Sequence, residues 1–427
     1  MTAALQMEGG VPEVGKDILA SVTPTPEQNN PTGPSANPST DIPGAINSDQ
    51  TIAENNFVIP TPQPTPPKPH SVFGMQLNLL TPAEGLTQAA IAGSFWVQAG
   101  AISWEQVESY EGERNWAALS GREQEWLNSA SLGLMPIVTI HFTPSWAQRE
   151  AGYSCGPIKK EKFSAFGNFL YDLVSRYSKP PYNIKYWQIW NEADAGLGLT
   201  SADSAWGCWG NTTDQMYYGG DYFGEMLKAV YPRIKEADPQ AQVLIAGLLL
   251  DCDPFQPPEN PAGSGVFKDC SNAKFLTGIL SVGAGDYFDG ISFHSYDYYQ
   301  GELGKFANSN WHSSWDRNGS VLTAKTSYIK NILSQFGVNN KSLFNTESGV
   351  ICGKTGEEDV CIDNNFVQTK AYYVTEAYAA ALAEKLEGNL WYSLKGWRAS
   401  GLLDGTMQPV PAFTAYQFAA QQLRNAV

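Results

Sequence analysis

The feature that most constrains this chain is an alternation that begins at Ser71 and repeats eight times. Short apolar runs follow one another, separated by stretches with the 3.6-residue spacing of amphipathic helices. The runs are VFGMQLN (72–78), FWVQAGA (95–101), MPIVTIH (135–141), IKYWQIW (184–190), AQVLIAGLL (241–249), FDGISFH (288–294), SLFNTE (342–347) and NLWYSL (389–394). Helical patterns between them include residues 115–133, 162–178, 221–238 and 364–385, and 411–425 closes the series. Strands this continuously apolar are buried on both faces, which implies a parallel sheet covered by helices. Eight strand–helix units in roughly 350 residues suit a closed barrel. The rival arrangement, an open doubly wound sheet, needs a glycine-rich phosphate loop after its first strand, and none is present. The expected fold is therefore α/β, a (β/α)8 TIM barrel over residues 71–427.

Residues 1–70 have a different grammar, as in TPTPEQNNPTGPSANPSTDIPG and IPTPQPTPPKPH. Proline, threonine, serine and asparagine dominate, and large apolar side chains are too few to offset the entropy of ordering. The reading is an extended tail or linker that tethers the barrel to a cell envelope or to other subunits. No signal-peptide pattern follows Met1.

The formal net charge of −16 argues against a nucleic-acid partner, whose phosphates need clustered Lys and Arg. No apolar run approaches the roughly 18–20 residues that span a bilayer. Six cysteines without a CxxC pair, and only four histidines without HxH or HExxH spacing, make a metal centre an unfavoured reading. No cofactor is expected. The even cysteine count reads instead as three disulfides formed in an oxidising, extracellular or cell-surface setting. Cys252 with Cys270 and Cys352 with Cys361 are close enough to staple single loops, which leaves Cys155 with Cys208. Free buried thiols are the competing reading.

Polar residues at the C-terminal ends of barrel strands face the active site. Here those ends carry Gln76 and Asn78, His141, Asn191 with Glu192, His294 and Tyr296, Glu347, and Trp391. A strand that buries Trp187, Ile189 and Trp190 has no packing reason to finish in an amide beside a carboxylate. Strands 4 and 7 each end in Glu, and they lie across the barrel from one another. Two carboxyls about 5–5.5 Å apart are what retaining glycoside hydrolysis requires, one to give a proton and one to attack. Either Glu alone would read as a solvated strand-end charge; the pairing is what points to chemistry.

WNEAD after an apolar strand, with NTESG closing another, resembles the large clan of retaining (β/α)8 glycoside hydrolases. WEQVESYEGERNW (104–116), TPSWA (143–147), DGISFHSY (289–296) and WYSLKGWRASGLL (391–403) are similar to family 39-like members. The likeness covers about residues 71–425. It implies Glu192 as general acid/base and Glu347 as nucleophile. It implies Asn191 on the sugar 2-hydroxyl, Tyr296 beside the nucleophile, His294 on the same wall and Trp391 under the sugar. Gln76, His141 and Trp146 are the remaining expected substrate contacts, and the substrate is a β-linked polysaccharide or oligosaccharide.

One departure stands out. Relatives carry an Arg on strand 2 that supports the nucleophile's charge, whereas FWVQAGA offers Gln98. The alternative reading is a weakly catalytic or non-catalytic carbohydrate-binding or surface-assembly protein on the same scaffold. Loop tryptophans (Trp146, Trp206, Trp209, Trp311, Trp315, Trp397) read either as packing anchors or as sugar platforms along a cleft.

Overall fold

The computed structural model describes residues 70–424, apart from 212, 213, 215, 260–262, 308–313, 316–319, 353–360 and 362. The tail expected over 1–70 lies, but for His70, outside the described residues, as does Trp311.

Eight strands form the barrel: β1 (Phe73–Gln76), β2 (Trp96–Gln98), β3 (Met135–His141), β4 (Tyr186–Ile189), β5 (Gln242–Leu248), β6 (Gly290–Tyr299), β7 (Ser342–Ile351) and β8 (Gly388–Trp391). Each pairs in parallel with the next, and β8 pairs with β1, so the sheet closes on itself. One principal helix follows each strand: α1 (Leu86–Ala92), α2 (Ser120–Ser131), α3 (Phe163–Tyr177), α4 (Gly220–Ala237), α5 (Phe275–Ser281), α6 (Val321–Gln335), α7 (Asn364–Ala383) and α8 (Pro411–Leu423). The (β/α)8 barrel expected from the alternation is the fold.

The helices pack as their periodicity dictates. In α3 the buried residues Phe166, Phe169, Leu170, Leu173, Val174 and Tyr177 recur at three- and four-residue steps, giving one apolar stripe toward the sheet. Helix α7 begins where Asp363 caps it, its carboxylate accepting the Phe366 N–H at 2.6 Å.

Inside the barrel, side chains stack in layers because alternate residues of each strand point inward. The lowest layer is apolar: Trp96, Ile137, Leu244, Phe344 and Leu390 pack together. Trp96 meets Tyr186 and Phe344 edge-on, with ring centroids 4.7 and 5.2 Å apart. Those strands are not neighbours, so these contacts cross the interior. Gly74 makes the room: a Cβ there would lie 2.7 Å from Leu390 Cγ and 2.8 Å from Trp96 Cβ.

Two residues further along, the strands present amides and hydroxyls. Gln76 donates to Gln98 at 3.0 Å and to the Thr346 carbonyl at 3.1 Å, and Gln98 donates to Thr139 at 2.7 Å. Ser292 accepts the Gly247 N–H and donates to the Ile245 carbonyl, both at 2.9 Å. This neutral hydrogen-bonded layer is the platform on which the strand ends sit.

Strands β6 and β7 run past their expected ends at 294 and 347 to Tyr299 and Ile351. HSYDYY looks like a polar, aromatic turn, but every residue of it is buried, and the ladder continues through Tyr296–Gly349 and Tyr298–Ile351. The pair rises above the rim as a wall. The three disulfides are Cys155–Cys208, Cys252–Cys270 and Cys352–Cys361, all in loops that leave the C-terminal ends of strands. No helix among the described residues is long and apolar enough to cross a membrane.

Candidate active site

The sequence YWQIWNEAD turns sharply once β4 ends. Trp190 takes φ 72° and Glu192 φ 47°, left-handed backbone that bulky residues rarely adopt. Such strain costs roughly 1–3 kcal/mol per residue and persists only where neighbours fix it. Here they do. The Trp190 indole N–H lies 3.0 Å from the Cys155 carbonyl and 2.8 Å from that of Gly207. The Glu192 N–H donates to the Gly247 carbonyl at 3.1 Å. With Trp190 pinned into the core, Asn191 and Glu192 swing to the barrel mouth. Gly247 must be glycine at this approach, because a Cβ would sit 2.8 Å from both Asn191 Oδ1 and His294 Nε2.

Glu347 comes from β7 opposite. One oxygen of each carboxylate and one ring nitrogen of His294 all lie within 4.8 Å of one another. His294 Nδ1 is 2.7 Å from Glu192 Oε1 and 3.4 Å from Glu347 Oε2. The Tyr296 hydroxyl donates to Glu347 Oε2 at 2.5 Å. The two Glu side chains keep 13% and 14% exposure.

Burial sets the protonation pattern. It raises the Glu192 pKa to about 8, against a partial pull downward from Lys325. It raises Glu347 to about 7, with His294 and the Tyr296 hydrogen bond opposing the shift and Glu192 adding to it. Burial holds His294 down to about 4, so the imidazole is neutral. With two carboxylate acceptors in front of Nδ1, the tautomer carrying hydrogen on that nitrogen is the one the contacts favour. Environment thus separates two like groups, the higher value falling on Glu192.

Several solved structures share this architecture. A family 39 glycoside hydrolase from Bacteroides cellulosilyticus WH2 superimposes with a TM-score of 0.58 at 17% identity, over 84% of this chain and 65% of that one. A monomeric beta-xylosidase from Caulobacter crescentus CB15 gives 0.55 at 15% identity, over 84% and 69%. A psychrophilic family 10 endo-beta-1,4-xylanase gives 0.52 at 13% identity, over 82% and 96%. The barrel is one that glycoside hydrolases use. The chain spans just under two thirds of the family 39 structure's length. No protein-family model and no curated protein sequence matches the chain.

Around the pair, the glycosidase-type barrel gathers some expected residues and moves others. Asn191 stands beside Glu192 and accepts from Gln188 Nε2 at 3.3 Å. Gln76 lies under β7, bonded to the carbonyl that precedes Glu347. His141 was expected to touch substrate but has no exposed surface. It stacks on Trp190 at 4.5 Å, with Nε2 at 3.2 Å from the Gly207 carbonyl, and so braces the β4 turn. Trp391 likewise has no exposed surface; its indole donates to the Ser400 carbonyl at 3.0 Å, which corrects its expected place under a sugar. Trp146 bonds the Glu108 carbonyl and packs edge-on against Trp104, so its partners lie outside the carboxylate cluster. Trp209 and Trp315 are buried anchors, whereas Trp206 and Trp397 keep some exposure.

The aromatic surface beside the pair comes instead from Tyr392 and Trp397. Both are partly exposed and pack on Tyr296, at 6.0 and 5.5 Å between centroids. The Tyr392 pKa is raised by burial first and then by Glu347 and Glu192, which places its phenol within their field. The sequence signal was one residue away, in the Tyr392 that follows Trp391. Asp194 and Lys325 were also missed. Asp194 is buried and accepts the N–H groups of Leu249 and Leu250, each at 2.8 Å.

Proposed function

We propose that this protein is a retaining glycoside hydrolase in which Glu347 attacks the anomeric carbon and Glu192 serves as acid and then base. The observation that carries the reading is the approach of the two carboxylates to within 4.8 Å across the mouth. That separation suits direct attack better than it suits the wider spacing of an inverting mechanism.

In the first step Glu192 gives its proton to the glycosidic oxygen while Glu347 bonds to the anomeric carbon and the leaving alcohol departs. Burial keeps Glu192 protonated near neutrality, as a general acid must be. The Tyr296 hydroxyl occupies Glu347 Oε2, which leaves Oε1 for attack. Glu192 Oε1 faces His294, so Oε2 carries the proton. In the second step Glu192, now ionised, takes a proton from water, which displaces the sugar from Glu347. Tyr392 and Trp397 offer ring faces to a sugar, and Asn191 an amide to its 2-hydroxyl. The substrate is a β-linked oligosaccharide or polysaccharide, and the disulfides fit work outside the reducing cytoplasm.

Incubating the protein with a panel of aryl β-glycosides and following the first-formed sugar by proton NMR tests this. Hydrolysis with retained anomeric configuration is expected. Inversion would overturn the mechanism, and the absence of hydrolysis across aryl glycosides and polysaccharides would favour a carbohydrate-binding role. The second reading draws on Gln98, a neutral amide where the glycosidase resemblance leads one to expect a cation.

A further inference from the structure

We infer that Lys325 is a positioning residue for Glu192, fixing the His294 imidazole on that carboxyl and supplying a buried positive charge beside it. The inference rests on the acid/base role proposed for Glu192. Lys325 projects from α6 and is only 4% exposed. Its ammonium donates to the carbonyl of Leu249 at 2.7 Å and to that of His294 at 2.8 Å. The first lies just past β5 and the second within β6, so one charge ties the two strand ends together. The Leu249–Leu250 amides are held in turn by Asp194, two residues beyond Glu192. A clamp with an ammonium on one side and a carboxylate on the other therefore joins the Glu192 turn to the His294 strand.

A structural role alone does not account for lysine here. Burying an ammonium costs several kcal/mol unless charge or hydrogen bonds compensate, and a methionine would fill the space without that cost. Four acids surround it, Asp194, Asp251, Glu192 and Asp297, and among the described residues none makes a direct ion pair with it. Three of the four are engaged elsewhere: Asp251 with Lys268, Asp297 with the Tyr373 hydroxyl and Asp194 with two amides. Glu192 faces His294, with Glu347, Tyr296 and Tyr392 in the same field. Tyr218 and Tyr328 also lie within the field of Asp194. Of the buried cations Lys325, Lys370 and Arg398, Lys325 is the one whose charge reaches Glu192.

Lys325→Gln keeps a donor for the carbonyls and removes the charge. Two readouts follow. The first is the pH profile of kcat/KM on phenyl and on 2,4-dinitrophenyl β-glycosides. The alkaline limb should move up by about one unit, with the acid limb unchanged, because loss of a nearby cation stabilises the protonated carboxyl. The phenyl substrate, which needs the proton, should lose about tenfold more than the dinitrophenyl substrate, which does not. The second is the carboxyl 13C titration of Glu192, assigned with Glu192→Gln, which needs no turnover and should show the same upward move. Equal losses on both substrates with an unmoved profile, or an unmoved Glu192 titration, would overturn the inference. Wild type hydrolysing neither substrate would sink the hydrolase reading, while the titration still decides the Lys325 coupling. If Lys325→Gln is too unstable to study, Asp194→Asn tests the field from the other side. The Glu192 titration should then fall, and no change would count against the clamp.

Discussion

At the lower end of the barrel interior, Trp96, Ile137, Leu244, Phe344 and Leu390 fill the space with apolar side chains that need nothing from water. At the upper end, Asp194, Lys325 and neutral His294 are buried, and Glu192 and Glu347 keep only 13% and 14% exposure. Each apolar side chain stabilises the fold by roughly 1.5–3 kcal/mol through burial. The buried ionisable groups work against stability, since desolvation disfavours their charged forms. The contrast teaches that one architecture separates the two tasks along its axis. The lower layer contributes stability, the amide layer of Gln76, Gln98 and Thr139 lies between, and the mouth holds buried ionisable groups that cost stability.

The sharpest way to break this comparison is at the mouth. Glu347→Gln should lower hydrolysis by on the order of a thousandfold or more. Its melting temperature should be unchanged or higher, because a buried carboxylate is replaced by a neutral amide. A variant that kept its rate, or lost several kcal/mol of stability, would contradict the division. The converse change is Trp96→Ala, expected to cost about 3–5 kcal/mol by denaturant unfolding. Per folded molecule, its kcat/KM should remain close to wild type.

How far the sequence anticipated each end follows from what kind of signal it carried. The lower layer was legible only as burial, since continuously apolar runs such as MPIVTIH show strands covered on both faces without saying which side chains face the barrel interior. Glu192 and Glu347 were legible only as a pair, because each alone reads as a solvated strand-end charge and it is two such ends facing one mouth that stand out. Lys325 was not, because on α6 it reads as one more charge on a solvated helix face, and only the folded chain carries it under the mouth. Asp194 looked like a loop aspartate for the same reason. Trp391 was misplaced by one residue because the aromatic pair at 391–392 does not say which ring faces the cleft. Gln98 read as a missing cation, whereas the structure has it bonded in the neutral layer.

The disulfides offer a milder test, since all three lie on the mouth side. By loop closure, removing Cys155–Cys208, with a separation of 53, should cost about 4 kcal/mol. Removing Cys352–Cys361, with a separation of 9, should cost about 3. Serine pairs at each position, compared by thermal unfolding, check the order. A loss in activity larger than the loss in stability would show that the staples shape the mouth as well as support it.

The smallest effect is a slope. Glu192 titrates at about 8 in the fold and near 4.5 unfolded, so between those values the native state holds a proton that the unfolded chain has lost. Stability therefore falls as pH rises through that window, by about 1.4 kcal/mol per unit for each such group at most. Glu347 adds the same sign up to about 7. His294, lowered to about 4, acts oppositely below its unfolded value of 6.5 and is silent from pH 6.5 to 8. In that range His70, raised by Glu387, adds to the carboxylate slope, and Lys325 and Lys370, lowered to about 8, oppose it at the upper edge. Glu192→Gln should flatten the slope there, whereas Trp96→Ala should shift the whole curve and leave the slope intact.

The central claim, that Glu347 forms a covalent bond to sugar with Glu192 as its partner, is tested most directly by trapping. Incubation with an activated 2-deoxy-2-fluoro β-glycoside, followed by intact-mass and peptide mass spectrometry, should show one added glycosyl group on the peptide containing Glu347. Label on another residue, or none with a substrate sugar that the protein demonstrably hydrolyses, would contradict it.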